Sequence, residues 1–150
     1  MLRFPVTGLL IAVSIGVSLA FWSHRNIDAL VPDVYHLSRQ PWRMVTDMFP
    51  HVNVLHLVFN LMWLWRFGQV LEGTFGWVKY AGLVIFLALG SSAAEWTFLD
   101  GGVGLSGVIY GFFGLLWVLS KHDPRFARAM DQHDYALAVK HFSKAIARFR

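Results

Sequence analysis

The chain contains no cysteine and few charged residues. Charged side chains make up 15% of its 150 residues, against about 25% in typical soluble domains. Without cysteine, disulfide bonds and thiolate metal sites are excluded. Hydrophobic residues account for 56% of the chain and aromatic residues for 16%. This composition is typical of a membrane protein whose aromatic side chains gather at the two interfaces.

Four long apolar stretches cover most of the first 120 residues, at 4–22, 51–65, 77–99 and 103–120. Because a helix needs about 20 residues to cross the hydrocarbon core, the first, third and fourth are long enough. The second continues to Leu71 if the Arg66 side chain reaches the interface. We therefore predict an all-α membrane protein, a polytopic helical bundle with about four transmembrane helices.

The N-terminal stretch has two readings. A basic start before an apolar run, with Ser18-Leu19-Ala20 downstream, resembles a signal peptide and its cleavage site. The apolar regions of signal peptides have about 7–15 residues. Residues 4–22 form a longer run, which favours an uncleaved membrane anchor.

The distribution of lysine and arginine predicts the orientation. With four spans, one side receives Arg3, Arg66, Lys79, Lys121, Arg125, Arg128, Lys140, Lys144, Arg148 and Arg150, and the other receives Arg25, Arg39 and Arg43. Basic residues favour the cytoplasmic side. This asymmetry places both termini in the cytoplasm, and we expect the plasma (inner) membrane as the location.

The first external loop, residues 23–50, is long and contains three prolines among recurring apolar residues. We expect it to form a compact structure lying in the membrane interface. Within it, Trp42 and Arg43 suit the headgroup level, with the indole at the boundary and the guanidinium on phosphate. An ordinary aromatic anchor explains the pair equally well.

The sequence changes character after Lys121, so we divide the chain into a membrane domain (1–122) and a tail (123–150). Asp123-Pro124 predicts a helix start. Apolar residues from Tyr135 to Phe149 then follow the spacing of an amphipathic helix. This cytoplasmic helix can lie on anionic lipid or pack against another helix. Part of its pattern resembles a fragment of a tetratricopeptide repeat.

Polar residues capable of catalysis occur inside two of the apolar stretches. His56 and Asn60 are four residues apart and share one helix face, with His51 five residues earlier. Ser106 lies in Gly104-Leu105-Ser106-Gly107, near the start of the fourth stretch. In the predicted topology both groups reach the same leaflet at similar depth. A nucleophile near a helix N-terminus has free backbone N–H groups close by, which can hold an oxyanion.

Simpler interpretations exist for each residue. A glycine-flanked serine in a membrane helix usually serves packing, and Gly107 and Gly111 form a small-xxx-small pair that lets another helix approach. A buried histidine is usually a hydrogen-bonded core residue. The pair His51 and His56 could ligate a metal, but a spacing of five is poor for one helix face, and no metal site is predicted.

Taken together, these residues resemble the rhomboid family of intramembrane serine proteases over about residues 1–125. The shared motifs are Trp42-Arg43, His51, His56-Leu57-x-Phe59-Asn60-Leu61, Glu72, Gly76 and Gly104-Leu105-Ser106-Gly107-Val108-x-Tyr110-Gly111. The resemblance implies a rhomboid-like helical bundle. It also implies Ser106 as nucleophile, His56 and Asn60 as the oxyanion-stabilising pair, and His51, Gly104 and Tyr110 as supporting residues. Glu72 is expected to be structural, as a cap or a bridge to Arg66.

The family's catalytic dyad takes its histidine from a sixth span with a His-x-x-Gly-x-x-x-Gly pattern. His122, His133 and His141 lie on the internal side or in the tail, and none has glycines at these positions. We therefore expect the front part of a rhomboid domain, possessing the family's protease site but with little or no activity of its own. The alternative is a non-catalytic rhomboid-like protein that binds membrane helices, and a more distant one is a histidine-rich cofactor or ion site.

The partners implied by the resemblance are transmembrane protein substrates, cut near their outer ends, and the lipid bilayer. No cofactor and no nucleic-acid partner is expected.

The predicted topology can be tested with reporter fusions. A reporter at Arg150 should give a cytoplasmic signal, and a reporter within residues 28–32 an external one, because ten basic residues lie on the first side and three on the second. Paired alkaline phosphatase and fluorescent protein fusions measure both positions. An external signal at Arg150 would refute the topology.

Overall fold

The structure, a computed structural model, describes residues 3–32, 39–98 and 102–127. Within these ranges the chain is helical and has no strand, which confirms the predicted all-α class. The helices are α1 (Pro5–Trp22), α2 (Arg43–Thr46), α3 (Val54–Phe75), α4 (Trp77–Phe98), α5 (Ser106–Ser120) and α6 (Pro124–Ala127). The chain divides into two compact units, Met1–Phe112 and Phe113–Arg150.

Three helices of the described ranges are long and apolar enough to cross a membrane: α1, α3 and α4, with 18, 22 and 22 residues. Helix α5 is apolar but has 15 residues. At about 1.5 Å per residue it extends roughly 22 Å, against a hydrocarbon core of about 30 Å. The fourth apolar stretch thus forms a shorter helix than predicted, because residues 103–105 are not helical.

The second apolar stretch also becomes helical later than predicted. The side chain of Asn53 accepts the backbone N–H of His56 at 2.9 Å, and asparagine is a preferred residue at this capping position. Helix α3 therefore starts at Val54. His51 lies in the loop before it, not on the end of the helix.

Helices α1 and α3 pack antiparallel. In the last turns of α3, Glu72 bonds to Val6 and Thr7 at the start of α1. At the other end of the pair, the Trp22 indole N–H donates to the carbonyl oxygen of His51 at 2.8 Å. The end of α1 therefore meets the loop that precedes α3.

Glu72 supplies the N-terminal cap that α1 lacks. The position before α1 is Phe4, which makes no side-chain capping bond. Instead, the two Glu72 oxygens accept the backbone N–H groups of Val6 and Thr7, both at 2.9 Å, and the Thr7 hydroxyl at 2.7 Å. Glu72 is 4% exposed. The carboxylate thus satisfies two N–H groups that have no partner within α1, at the end where the helix dipole favours negative charge. Of its two expected structural roles, Glu72 takes that of a cap.

Helices α1, α3 and α4 pack closely together next to this cap. A Cβ atom on Gly68 would lie 2.5 Å from the Thr7 hydroxyl oxygen and 2.9 Å from the Tyr80 hydroxyl oxygen. Helix α3 then passes into α4 through Gly76, whose φ of +78° favours glycine. The Gly76 N–H donates to the carbonyl of Glu72 at 2.9 Å, which closes α3 before the chain reverses.

Within the first unit, α4 packs against the beginning of α5 through the predicted small-residue pair. A Cβ atom on Gly107 would collide with the side chain of Ser91, and one on Gly111 with the side chain of Leu87. These contacts advance along α5 as they retreat along α4, so the two segments run antiparallel. The approach expected from the small-xxx-small spacing is confirmed.

In the loop between α1 and α3, the segment around α2 is hydrogen-bonded to residues 30–31. The Arg43 guanidinium donates to the carbonyl of Val31 at 3.1 Å, and the Thr46 hydroxyl to that of Leu30 at 2.8 Å. Trp42 is 54% exposed beside them. The described parts of the loop are therefore joined by hydrogen bonds, and its position in the membrane interface stays a prediction.

In the second unit, the predicted helix start after Lys121 is present. The Asp123 carboxylate accepts the backbone N–H of Arg125 at 2.9 Å and pairs with its guanidinium at 2.7 Å. This interaction lowers the pKa of Asp123 through the Arg125 side-chain hydrogen bond. The predicted amphipathic helix and the tetratricopeptide-like fragment lie outside the described residues.

Removal of the Glu72 cap should destabilise the protein. Glu72→Ala leaves the buried Thr7 N–H of α1 unpaired, at about 1–3 kcal/mol, and removes the partner of the part-buried Val6 N–H, which should cost less. Glu72→Gln keeps an acceptor oxygen and should cost less, and Thr7→Val, which removes only the hydroxyl bond, less than Glu72→Ala. Unfolding in mixed micelles, followed by tryptophan fluorescence, measures the series. Equal stability of Glu72→Ala and the wild type would show that the cap contributes nothing.

Candidate active site

The predicted histidines and the segment before Ser106 lie together at one end of the helices. A Cβ atom on Gly104 would be 2.8 Å from Cε1 of His56 and 3.3 Å from Cδ2 of His51. The two imidazole rings are 5.1 Å apart, centroid to centroid. The structure thus brings three of the predicted residues into contact, from two apolar stretches separated by α4.

Gly104 is a glycine for two independent reasons. Its φ is +114°, a conformation that side-chain-bearing residues rarely adopt. The space where its Cβ would lie is also taken up by the two histidine rings. The chain can therefore turn into α5 only with glycine two residues before Ser106.

His51 is fully buried and hydrogen-bonded on both ring nitrogens. Nδ1 lies 2.9 Å from the carbonyl oxygen of Phe49 and 3.2 Å from the hydroxyl of Ser18. Nε2 lies 3.4 Å from the backbone nitrogen of Leu105. Burial, followed by the proximity of His56, lowers the pKa of His51 to about 4. His51 is therefore neutral at physiological pH.

His56 and Asn60 occupy the same face of α3, as their spacing predicted. One amide N–H of Asn60 donates to the carbonyl oxygen of His56 at 2.9 Å. The Nδ1 atom of His56 is buried and has no hydrogen-bond partner within the described residues. A neutral imidazole carries its proton on one nitrogen only. If Nδ1 is the bare nitrogen, Nε2 carries a hydrogen that His56 can donate.

Ser106 is the first residue of α5 and is half-buried. Across the described ranges its hydroxyl has no hydrogen-bond partner. The N–H groups in the first turn of a helix have no acceptor inside the helix. A substrate carbonyl attacked by Ser106 would therefore have donors for its oxyanion nearby. Tyr110, one turn further along α5, is 41% exposed.

An acidic cluster beside the histidines was not identified from the sequence. Asp47 is 5% exposed, and its Oδ2 accepts the hydroxyl of Ser92 at 2.6 Å. The Glu95 carboxyl group lies against Gly102 and near Asp47. Burial, opposed by the Ser92 bond and reinforced by Glu95, raises the pKa of Asp47 to about 7. The only signal in the sequence was a single aspartate in a mostly apolar segment, four positions before His51.

The acidic cluster and the histidines do not form a metal site of three ligands in the part of the chain that the structure describes. The site consists instead of two imidazole rings, one hydroxyl group and a buried carboxyl group with a raised pKa.

Comparison with known proteins identifies the family of the chain. The family model described as Rhomboid domain matches residues 38–142. The rhomboid protease GlpG of Yersinia pseudotuberculosis is 34% identical over 101 residues, which is 67% of this chain and 36% of that protein. The GlpG proteins of Salmonella newport and Salmonella heidelberg are each 33% identical over 90 residues, 59% of this chain and 33% of theirs.

The chain belongs to the rhomboid family, which confirms the resemblance of its motifs. With its apolar helices, it is an integral membrane protein. It spans about a third of the length of the curated relatives that it matches.

The raised pKa of Asp47 predicts a specific dependence of stability on pH. The folded protein holds a proton that the unfolded chain releases near pH 4. The resulting stabilisation is complete below pH 3.8 and is lost as pH rises through about 7. Asp47→Asn should therefore gain stability relative to the wild type as pH rises from 5 to 8, on the order of a few kcal/mol.

Comparing Asp47→Asn with the wild type at each pH cancels the contribution of His51. The lowered pKa of His51 acts with the opposite sign, since stability falls as pH drops from 6.5 towards 4. Asp28→Asn, in the exposed part of the loop, is the matched control. A stability difference independent of pH would contradict the assignment of Asp47.

Proposed function

We propose that this chain carries the nucleophile half of an intramembrane serine protease site, with Ser106 as nucleophile and His56 and Asn60 as oxyanion-stabilising residues. The observation that carries the proposal is the contact of both histidines with Gly104, two residues before the half-exposed Ser106. Gly104, His51 and Tyr110 support the site. The family of the chain and the protease names of its relatives agree with this chemistry.

In the proposed reaction, the Ser106 oxygen attacks the carbonyl carbon of a peptide bond. Negative charge then develops on the carbonyl oxygen, where the first-turn N–H groups of α5 and a donor on His56 can stabilise it. Collapse of this intermediate breaks the C–N bond and leaves an acyl group on Ser106, which water hydrolyses. The leaving amine gains the proton that Ser106 loses.

A general base is needed to take the Ser106 proton, because an unactivated hydroxyl is a poor nucleophile. No described residue accepts a hydrogen bond from Ser106. In rhomboids a histidine of a sixth span has this role, and we propose that such a histidine completes the site from a further membrane segment.

The proposed substrates are transmembrane segments of other membrane proteins, cut near their outer ends. The site lies at the end of the helices where α1 finishes and α3 begins. The positive-inside asymmetry places this end outside the cytoplasm, with both termini inside and the plasma (inner) membrane as the location. A substrate helix would therefore meet Ser106 close to the outer interface.

Residues 1–122 are proposed to form the membrane domain and 123–150 an appended helical tail. The tail would contact anionic lipid or another helix through its amphipathic pattern. The Rhomboid domain match runs to residue 142, so it includes part of this tail.

A second candidate function is the binding of membrane helices without cleavage. It is favoured by one observation, the lack of a hydrogen-bond partner for the Ser106 hydroxyl among the described residues. In that case the contacts around Gly104 would serve folding alone, and the reactivity of Ser106 would be that of an ordinary serine.

The two functions differ in the behaviour of Ser106. Cleavage of a transmembrane reporter by this chain alone should be at least about 10³-fold below that of an intact family protease, because no residue of the described ranges is hydrogen-bonded to Ser106 as a base. Addition of a companion fragment carrying the sixth-span histidine should raise cleavage and labelling by a fluorophosphonate. Both should disappear in Ser106→Ala and persist in the control Ser120→Ala.

Absence of any labelling with the companion fragment would support the binding function. Cleavage by this chain alone that depends on Ser106 would show that a base is already present.

A further inference from the structure

Two consecutive backbone N–H groups before Ser106 are held by the loop that precedes α3. The Gly104 N–H donates to the carbonyl oxygen of Asp47 at 2.9 Å. The next N–H, that of Leu105, points to Nε2 of His51 at 3.4 Å. We call residues 47–51 the clamp loop, because they hold both N–H groups at the entry to α5.

The clamp loop is itself attached to two other helices. From α1, Trp22 donates to the carbonyl oxygen of His51, and Ser18 contacts its Nδ1. From α4, Ser92 donates to the Asp47 carboxylate. His51 thus lies between α1 and α5, and a change in its hydrogen bonds would move the chain directly before Ser106.

The neighbours of His51 determine its tautomer. A carbonyl oxygen can only accept, so the 2.9 Å contact with Phe49 requires a hydrogen on Nδ1. The neutral ring then has a bare Nε2, which is the acceptor that the Leu105 N–H needs. The Ser18 hydroxyl can donate to the same Phe49 carbonyl, at 3.4 Å. One placement of hydrogens, with Nδ1 of His51 protonated and Nε2 bare, therefore accounts for the contacts with Phe49, Ser18 and Leu105.

With this placement of hydrogens, His51 cannot act as the general base that takes the Ser106 proton. A base needs a free acceptor nitrogen within hydrogen-bonding reach of the serine hydroxyl. Nδ1 of His51 carries a hydrogen, and Nε2 is engaged by the residue adjacent to Ser106. Protonation of Nε2 would break that bond and place a charged ring where no part of its surface reaches water.

We infer that His51 is a positioning residue for Ser106, held as the neutral Nδ1–H tautomer between the Phe49 carbonyl and the Leu105 N–H, and that it is not the proton acceptor. The inference rests on the proposed role of Ser106 as nucleophile. The tautomer and the Leu105 bond can, however, be measured without any activity.

The first test is the ring signature of His51 in the full chain. With ¹⁵N-labelled histidine in micelles at pH 7, two-bond ¹⁵N–¹H spectra should show His51 neutral, with hydrogen on Nδ1. Loss of the signal in His51→Gln assigns it. If that variant does not fold, removal of the other six histidines one at a time assigns it by elimination. An Nε2–H tautomer or a charged ring would overturn the inference.

The second test separates the two ring bonds by substitution. Glutamine at position 51 can place an oxygen near Nε2, whereas asparagine can replace only the Nδ1 donor, and alanine neither. Hydrogen exchange at the Leu105 amide should stay near the wild-type rate in His51→Gln. It should rise about 3- to 10-fold in His51→Asn and His51→Ala, as expected for one hydrogen bond. His24→Gln, in the exposed loop, is the matched control.

Fluorophosphonate labelling of Ser106 in the presence of the companion fragment should follow the same order, with His51→Gln closest to the wild type. Unchanged Leu105 exchange in all three variants, or a glutamine variant as fast as alanine, would refute the positioning role. If Ser106 is unlabelled in every protein while Leu105 exchange follows the expected order, the protease proposal fails and the hydrogen-bond link stands.

Discussion

A polar group buried among apolar helices must find its partner inside the protein, and this constraint governs both ends of the first unit. At one end the Glu72 carboxylate accepts the free N–H groups of α1. At the other end the clamp loop accepts the N–H groups that lead into α5. The N–H groups of Thr7 and Leu105, whose bonds are buried, would each cost about 1–3 kcal/mol if left unpaired. The pairing of these N–H groups therefore restricts how α1, α3 and α5 can pack.

The constraint also explains why a rigid site can be built from few polar residues. His51, Asp47 and Ser92 bond to backbone or to each other, so none of them is free to turn towards a substrate. Two groups of the site are not engaged in this way. The Ser106 hydroxyl has no hydrogen-bond partner within the described residues, and a bare Nδ1 on His56 leaves a hydrogen on Nε2 that the ring can donate. Residues whose hydrogen bonds are all made, such as His51, therefore hold the backbone in place, and the neighbouring Ser106 and His56 are left to react. In the proposed reaction, the Ser106 oxygen attacks the carbonyl carbon and the Nε2 hydrogen of His56 is donated to the carbonyl oxygen.

Sequence patterns predicted the parts of the fold that depend on periodicity and composition. The apolar stretches, the shared face of His56 and Asn60 and the close approach at Gly107 and Gly111 all follow from local spacing. The start of α3 could not be read in this way, because a single capping bond from Asn53 decides it. Composition likewise placed the start of the fourth helix too early, since Gly104 turns the chain there through a left-handed conformation.

Within the site, the motifs predicted which residues belong together but not what each one bonds to. The spacing of five residues between His51 and His56 is the same whether His51 is a general base, a metal ligand or a hydrogen-bonding residue that positions the backbone. Only its contacts with Phe49 and Leu105, which are distant from each other in sequence, distinguish these roles. Asp47 and Ser92 were missed for the same reason, because they are 45 residues apart in the chain and belong to no local pattern.

The cap on α1 has a consequence for how the protein is made. Glu72 follows Thr7 by 65 residues, so the ribosome completes α1 long before its cap exists. In a newly inserted α1, the N–H groups of Val6 and Thr7 therefore have no partner within the protein. Water or a lipid headgroup must accept their hydrogen bonds until Glu72 is in place. When α3 enters the bilayer, its carboxylate displaces these temporary partners, and the same residue's carbonyl closes the turn at Gly76. Because α1 is synthesised first, its N-terminal cap forms only when α3 packs against it.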